Sequence, residues 1–299
     1  MTENTHPERH HQRPVVVGVD GSENSARAAI WAAEEAGRRG TRLTVVHALY
    51  LPDSAVAPIE PTGYAQRRHA EGTVLLDKAG TALRARFPEL TLDTKLSDLD
   101  PAHALTELSH TAALLVTGTR GHGGFTGMLL GSVSRKLAAH GRCPLVVVHG
   151  EPTPNAAADI VLGIGSEPGQ AAGRYAFEAA RRLGATLVVV HACHPDAMAT
   201  GMAGVGAIYV DTSAADHSAA VAVAESAVKL LRDEYPDVTV RIDVAEGNPV
   251  AVLLDAARDA QLLVVGEHQR RGPLWVGPGY VVEGVLAHSA APVAVAPEH

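Results

Sequence analysis

Two cysteines, Cys143 and Cys193, are all that 299 residues contain, and they form neither a CxxC pair nor a paired framework. A disulfide-stapled scaffold is excluded, and reduced thiols in a cytoplasmic protein are expected. Aromatic residues are equally scarce, at 4% of the chain, so Ala, Val and Leu supply most of the apolar mass. That mixture suits parallel strands covered by alanine-rich helices. Positive charge is in deficit: 25 Lys and Arg against 33 Asp and Glu leave a formal net charge of −8. With no basic stripe interleaved with aromatics, nucleic acid is not an expected partner. No apolar run reaches the length of a membrane span and the first residues do not resemble a secretory signal, so no membrane partner is expected either.

The length leaves room for about two domains of ordinary size. Residues 1–13 are polar, with His6, His10 and His11 beside Pro7 and Arg9, and read as a disordered tail; a metal-binding tail is the alternative. Beyond them the chain repeats itself. VVVGVDGSE at 15–23 recurs as IVLGIGSE at 160–167, Trp31-Ala32 matches Tyr175-Ala176, and LTVVHA at 43–48 matches LVVVHA at 187–192. After a variable middle the register shifts slightly: Pro101 matches Pro249, Gly118 matches Gly266, Gly131 matches Gly279, and Pro144 matches Pro292. Long-range colinearity of this kind marks two copies of one unit. The division expected is a first domain over 14–149, a linker over 150–158 (GEPTPNAAA) and a second domain over 159–299.

Each copy alternates short apolar runs with helical spacing. In the first, strands are predicted at Val15–Val19, Leu43–Ala48, Leu92–Leu96, Leu114–Thr117 and Leu145–Val148. Ala26, Ala29, Ile30, Ala33 and Ala36 keep helical spacing, with Glu34–Arg38 and Glu35–Arg39 as i,i+4 pairs expected on the solvent side. A polar helix is predicted over about 64–86 after a Pro-rich loop at 50–63, and another over Ser132–His140. Asp100-Pro101 reads as an N-cap with proline at N1, and Asn248-Pro249 repeats the device. Alternating strands and helices imply parallel pairing through right-handed crossovers. The expected fold is α/β: two tandem Rossmann-like, doubly wound, parallel five-stranded sheets of strand order 3-2-1-4-5, flanked by helices. Ligands of such sheets bind beyond the carboxyl ends of the strands, where the strand order reverses.

Chemistry concentrates in GTRGHGGFTGMLLGSVS, residues 118–134. The stretch leaves an apolar strand and enters a helix. Gly118, Gly121, Gly123 and Gly124 let backbone approach a ligand closely. Gly131 and Ser132 stand at the helix start, where free N–H groups and the helix dipole favour an anion. Ser132 and Ser134 add hydroxyl donors and Arg120 a cation for phosphate oxygens. Walker A is excluded because Gly131 is followed by Ser-Val-Ser rather than Lys-Ser/Thr, and the GxGxxG dinucleotide fingerprint has no match in the expected place. A glycine-rich surface loop that binds nothing is the bland alternative.

Asp20 closes the first strand, and in a 3-2-1-4-5 sheet that end neighbours Gly118. Its carboxylate could accept bonds from ribose hydroxyls or an adenine amine; capping the next turn is the competing role. The sixteen histidines offer no spaced ligand set beside a carboxylate, so no metal site is expected. His47 and His191, at matching strand ends, read as satisfied structural residues, whereas His122 lies inside the glycine stretch. Ser22 and Ser25 read as helix-capping residues, since no His-Asp partner is evident. Cys143 reads as a small buried apolar residue.

VVVGVDGS together with Gly118-x2-Gly121-x9-Gly131-Ser132 resembles the ATP-binding members of the universal stress protein family, in tandem-domain form, over about residues 14–297. The resemblance implies ATP, with or without Mg2+, held in the first half, and a regulatory role in stress or dormancy. It carries Gly18, Asp20, Ala48, Gly118, Arg120, Gly121, Gly131, Ser132 and Ser134 into the nucleotide site, with Asp20 at the adenosine and Ala48 lining the adenine pocket. It also implies pairing through the last strands, so that Leu145–Val148 and Val293–Val295 join the halves as a pseudo-dimer; further homodimerisation and the protein partner stay open. The second half departs from the pattern. Gln269 stands at the second glycine, Tyr280 at the serine, and Ile164 or Gly165 where Asp belongs. The second half is therefore expected to bind ATP weakly or not at all. Three functions follow: an ATP-binding regulator, a slow ATPase or phosphotransferase, and a nucleotide-free interaction module. With no spare carboxylate near a γ-phosphate, binding without fast turnover is the expectation, and no catalytic residue is assigned.

Overall fold

The computed structural model describes residues 13–49, 63–121, 129–150, 158–165, 169–193, 213–267 and 277–298. The N-terminal tail, most of the 50–63 loop, the core of the linker, and His122, Gly123, Gly124 and Gln269 lie outside the described residues. The first half runs β1 (Val15–Gly18), α1 (Glu23–Arg39), β2 (Leu43–Ala48), α2 (Tyr64–Arg86), β3 (Leu92–Ser97), α3 (Pro101–Ser109), β4 (Leu114–Gly118), α4 (Ser132–His140) and β5 (Leu145–Val148). The second runs β6 (Ile160–Ile164), α5 (Gln170–Leu183), β7 (Leu187–Cys193), α6 (Ser213–Glu234), β8 (Val240–Glu246), α7 (Pro249–Ala256), β9 (Leu262–Glu267), α8 (Tyr280–His288) and β10 (Val293–Pro297).

Within each half the strand order is 3-2-1-4-5, as expected, but the two sheets are one. The ten strands lie in the order β3-β2-β1-β4-β5-β10-β9-β6-β7-β8. All neighbours are parallel except the pair at the centre, where β5 and β10 run antiparallel with Val147 opposite Val293 and Leu145 opposite Val295. The seam between the halves is thus a continuous hydrogen-bonded ladder. Its two strands are buried along nearly their whole length, as β-branched runs in a doubly covered sheet should be. Two cores follow, one on each face, and each crosses the seam. One lies under α1, α2, α5 and α6 and includes Val15, Leu43, Phe177 and Leu187. The other lies under α3, α4, α7 and α8 and includes Val147, Leu137, Leu286 and Val295.

Local chemistry sets the helix ends. Asp100 Oδ1 accepts from the amides of Ala102 and His103 (3.1 and 3.2 Å), and Asn248 Oδ1 accepts from Val250 and Ala251 (2.9 and 3.3 Å). Each cap satisfies two donors that the first turn leaves free, with proline at N1 losing nothing. Ser22 caps α1 by accepting from the Ser25 amide at 3.2 Å. Gly40 and Gly184 end α1 and α5 in the left-handed conformation, both at φ 62°. The N-terminus of α5 takes its carboxylate from the far end of the chain: Glu298 accepts from the amides of Ala171 and Ala172.

One expectation fails at the seam. Glu34–Arg38 is a surface pair at 3.4 Å, but Glu35 is buried rather than solvated. It accepts from Arg38 (2.9 Å), Arg39 (2.6 Å) and Arg182 of the second half (2.9 Å). Spacing along one helix cannot reveal a helix that packs over it, and α5 supplies the third guanidinium here. Arg39 also lies over the ring of buried Tyr175, 5.7 Å from its centroid. Burial pushes the Glu35 carboxyl up, but Arg39, Arg182 and the bonds from Arg38 and Arg39 outweigh it, and the net shift is below the ordinary value. His149, just past β5, contacts the carbonyl oxygens of Val147 (3.1 Å) and of Leu286 in α8 (2.8 Å), and burial lowers its pKa.

Candidate functional site

At the carboxyl ends of β1, β2 and β4 the strand order reverses, and a cavity of about 440 Å³ opens there between the sheet, α3 and the start of α4. Gly18, Asp20, Ala48, Gly118, Arg120, Gly121, Gly131, Ser132 and Ser134 all line it. So do Val46, Pro101, Leu105, Leu130, Val133, Thr117 and Ser25, which the sequence reading does not assign to the site. Leu105 was recoverable in principle, because it falls one turn after the Asp100-Pro101 cap and so faces the same side. Thr117 was recoverable too, being the polar residue that ends an otherwise apolar strand.

Each side chain has a local reason for its place. Asp20 follows β1, and Gly21 turns the chain away at φ 86°. The Asp20 carboxylate accepts from the Ser22 amide (3.0 Å) and hydroxyl (2.6 Å), so the turn-capping role is realised at Oδ1. Gly121 lies against this carboxylate: a Cβ there would come within 2.0 Å of Asp20 Oδ2. Gly118 lies against the first turn of α1, where a Cβ would meet Asn24 at 2.8 Å. Asn24 in turn donates to the Arg120 carbonyl at 3.2 Å, fastening the chain beyond β4 to α1.

The start of α4 is open. Its N-cap is Gly131, which has no side chain to bond the first-turn amides. The Gly131 amide donates to the Thr119 carbonyl at 2.7 Å, holding the helix start beside the end of β4. Ser132 is exposed at this opening. Ser134 behaves differently from the expected hydroxyl donor to a ligand. It is buried, and its Oγ donates to the Gly118 carbonyl at 3.0 Å with Thr117 Oγ1 at 3.1 Å. It lines the cavity as a brace. Uncapped amides, the dipole of α4, the Ser132 hydroxyl and the Arg120 guanidinium together make an anion-favouring end, and Val46, Ala48 and Leu105 an apolar wall.

The corresponding region of the second half is built otherwise. Strand pairing puts Ile164 opposite His191, and both strand-end histidines contact a carbonyl, His47 that of Val19 (2.8 Å) and His191 that of Ile164 (3.1 Å). Ile164 therefore corresponds to Val19, and Gly165 follows where Asp20 stands. Gly279 begins α8 at φ 89°, and the Tyr280 hydroxyl accepts from Asn248 Nδ2 at 3.1 Å, reaching from the start of α8 to that of α7. Glu267, after the glycine of β9, is buried, and burial pushes its carboxyl up to about 7 against the opposing charge of Arg142. The Cys143 thiol is likewise pushed up to about 12 by burial, as suits an inert core residue. Among the described residues no cluster of three metal-ligating side chains occurs, and no helix is long and apolar enough to cross a membrane.

The universal stress protein family model matches this chain twice, over residues 12–149 and 158–297. Universal stress protein Rv2005c of Mycobacterium tuberculosis is 33% identical over 294 residues, covering 95% of this chain and 97% of its own. Universal stress protein Rv2623 of the same organism is also 33% identical over 294 residues, with 95% and 96% covered. In three dimensions the crystal structure of a universal stress protein from Archaeoglobus fulgidus superposes with a TM-score of 0.70 at 17% identity, covering 97% of this chain and 98% of that one.

Proposed function

Because this chain belongs to the universal stress protein family, we propose that its first half holds one adenine nucleotide, ATP in the cell, in the cavity beyond β1, β2 and β4. The supporting observation is convergence: residues from four separate stretches, 18–20, 48, 118–121 and 131–134, line one cavity at the switch point of the sheet. The phosphates lie at the uncapped amides of α4, with Ser132 and Arg120 as side-chain donors. Asp20 accepts from the adenosine, and Val46, Ala48 and Leu105 cover its apolar face. Gly121 and Gly118 let the chain after β4 pack directly on Asp20 and Asn24 at the edge of this cavity, where any Cβ would collide. A Mg2+ accompanying the nucleotide is carried chiefly by its phosphates.

The nucleotide is retained rather than rapidly turned over. Phosphoryl transfer to water needs a group that orients or deprotonates the nucleophile. Asp20 is the one carboxylate among the described lining residues, and its Oδ1 already accepts two bonds from Ser22. Bound ATP lies against residues 118–121 and 129–131, so its presence alters the surface they offer to a partner. The protein then acts as a nucleotide-dependent regulator in the cytoplasm, in stress or dormancy.

Mass spectrometry of the chain denatured after purification tests this. One adenine nucleotide per chain is expected, and one site in a calorimetric titration of the stripped protein. No released nucleotide and no titratable binding would overturn the reading. Steady phosphate release that disappears in Ser132→Ala would replace retention with hydrolysis.

A further inference from the structure

We infer that Thr117 is a positioning residue of the proposed nucleotide site, holding the first turn of α4 in place through Ser134; the inference rests on that reading of the cavity. Thr117 and Ser134 are both buried, at 5% and 3% exposure. Ser134 has one hydroxyl hydrogen, and it goes to the Gly118 carbonyl at 3.0 Å. Across the 3.1 Å between the two hydroxyls Thr117 is then the donor. A chain of two bonds therefore ties the last residues of β4 to the first turn of α4. The N-cap of that turn, Gly131, offers its amides no side-chain cap. Buried hydroxyls are costly unless paired, so the pair fixes one arrangement of strand end and helix start.

The second half shows that the fold does not need this pair. Thr117 corresponds to Val265 and Ser134 to Val282, in the same strand and the same helix turn. Both valines are buried, at 3% and 4% exposure, and they pack in the same core as the seam strands. An apolar pair thus suffices to dock this helix on this strand. Both positions differ together, and they differ in the half whose helix, likewise begun by a glycine that offers no side-chain cap, carries Tyr280 bonded to Asn248 in place of Ser132. The hydroxyl pair accompanies the half in which the first-turn amides must face a ligand. Its role is to aim those amides, and misplacement of a supporting group by a fraction of an ångström is enough to weaken a preorganised site.

The experiment compares the full-length chain with Thr117→Val and Thr117→Ser. Valine has the shape of threonine and stands at the matching place in the second half. Three readouts are taken: ATP affinity by calorimetry, Tm, and amide hydrogen exchange at residues 132–134 without ligand. Thr117→Val should bind ATP about tenfold more weakly, keep a Tm close to wild type, and exchange faster at 132–134. Thr117→Ser should restore affinity and protection. Wild-type affinity and exchange in Thr117→Val would overturn the inference, as would a loss of affinity that follows a fall in Tm and is not rescued by serine. If the wild-type chain takes up no ATP, the nucleotide reading fails separately, and the exchange at 132–134 still decides whether Thr117 positions the turn.

Discussion

The two halves share strand order, helix order and even their N-cap chemistry, with Asp100 answered by Asn248, yet they part at the carboxyl ends of their strands. The first keeps Asp20, Ser132 at the start of α4 and a buried hydroxyl pair. The second has Gly165, a tyrosine bonded across the helix starts, and two valines. These differences lie where a ligand would sit, at the carboxyl ends of the strands and the starts of the helices. The strands and the alanine-rich helices hold the fold, so a repeated copy can differ at the features of the proposed site and keep its place in the sheet. The second copy keeps another duty: through β10 it supplies the strand that pairs with β5 and completes the first copy's edge.

The sharpest way to break this comparison is to make the first half resemble the second at its glycine. Gly121 corresponds to Gln269, and a Cβ at Gly121 would come within 2.0 Å of Asp20 Oδ2. Gly121→Glu, which adds a like charge to that clash, should weaken ATP binding about a hundredfold or more. Circular dichroism and Tm should stay near wild type, because residue 121 is exposed and outside the sheet. Retained affinity would place the phosphates elsewhere. The next largest effect belongs to the seam. Glu35 corresponds to Ala179, so Glu35→Ala copies the second half while leaving Arg38, Arg39 and Arg182 without their shared acceptor. Removing one member of a buried charge cluster costs about 3 kcal/mol, read as a lower urea midpoint. The depressed carboxyl also sets a direction with pH. Its contribution is present above the ordinary value of 4.5 and fades as pH falls through the lower native value. Wild type and Glu35→Ala should therefore converge in strong acid.

How much of this was legible beforehand follows from which interactions are local. The strands of the first half, the Asp100-Pro101 and Asn248-Pro249 caps and the Ser132–His140 helix depend on residues close in sequence, and the structure has them within a residue or so of where they are expected. Gathering of the glycine stretch with Asp20 was legible because the repeat fixed the topology. Burial of Glu35 was not, because an i,i+4 pair looks the same whether water or a second helix covers it. Nor was the brace formed by Ser134: a serine in a first turn signals neither which way its hydroxyl points nor that Thr117 lies beneath. The place of the missing Asp became definite only with strand register, which sets Ile164 opposite His191 as Val19 sits by His47.

A smaller test addresses a charge that only the second half has. Glu267 stands where the first half has Thr119, buried, with its carboxyl raised from 4.5 to about 7. A raised carboxyl contributes stability fully below about 4.5 and loses it as pH rises through about 7. Glu267→Gln should therefore match wild type at pH 4.5 and exceed it at pH 8, by about 1 kcal/mol or a few degrees in Tm. A variant that gained nothing at pH 8 would mean that Arg142 neutralises the carboxylate more fully than burial opposes it.

The smallest effect probes how the halves recognise each other. Arg135 and Glu283 occupy matching positions in α4 and α8, and they meet across the seam at 3.5 Å with about half of each side chain exposed, 50% and 49%. Two copies of the first half facing each other would set arginine against arginine here, and two copies of the second glutamate against glutamate. Only the mixed pair attracts. An exposed pair is worth about 0.5 kcal/mol at low salt and less as salt screens it. Arg135→Glu should lower Tm slightly, adding Glu283→Arg should restore it, and both differences should vanish in concentrated salt. Equal stabilities for the single and double variants at low salt would leave the β5–β10 ladder and the Glu35 cluster as the features that hold this seam together.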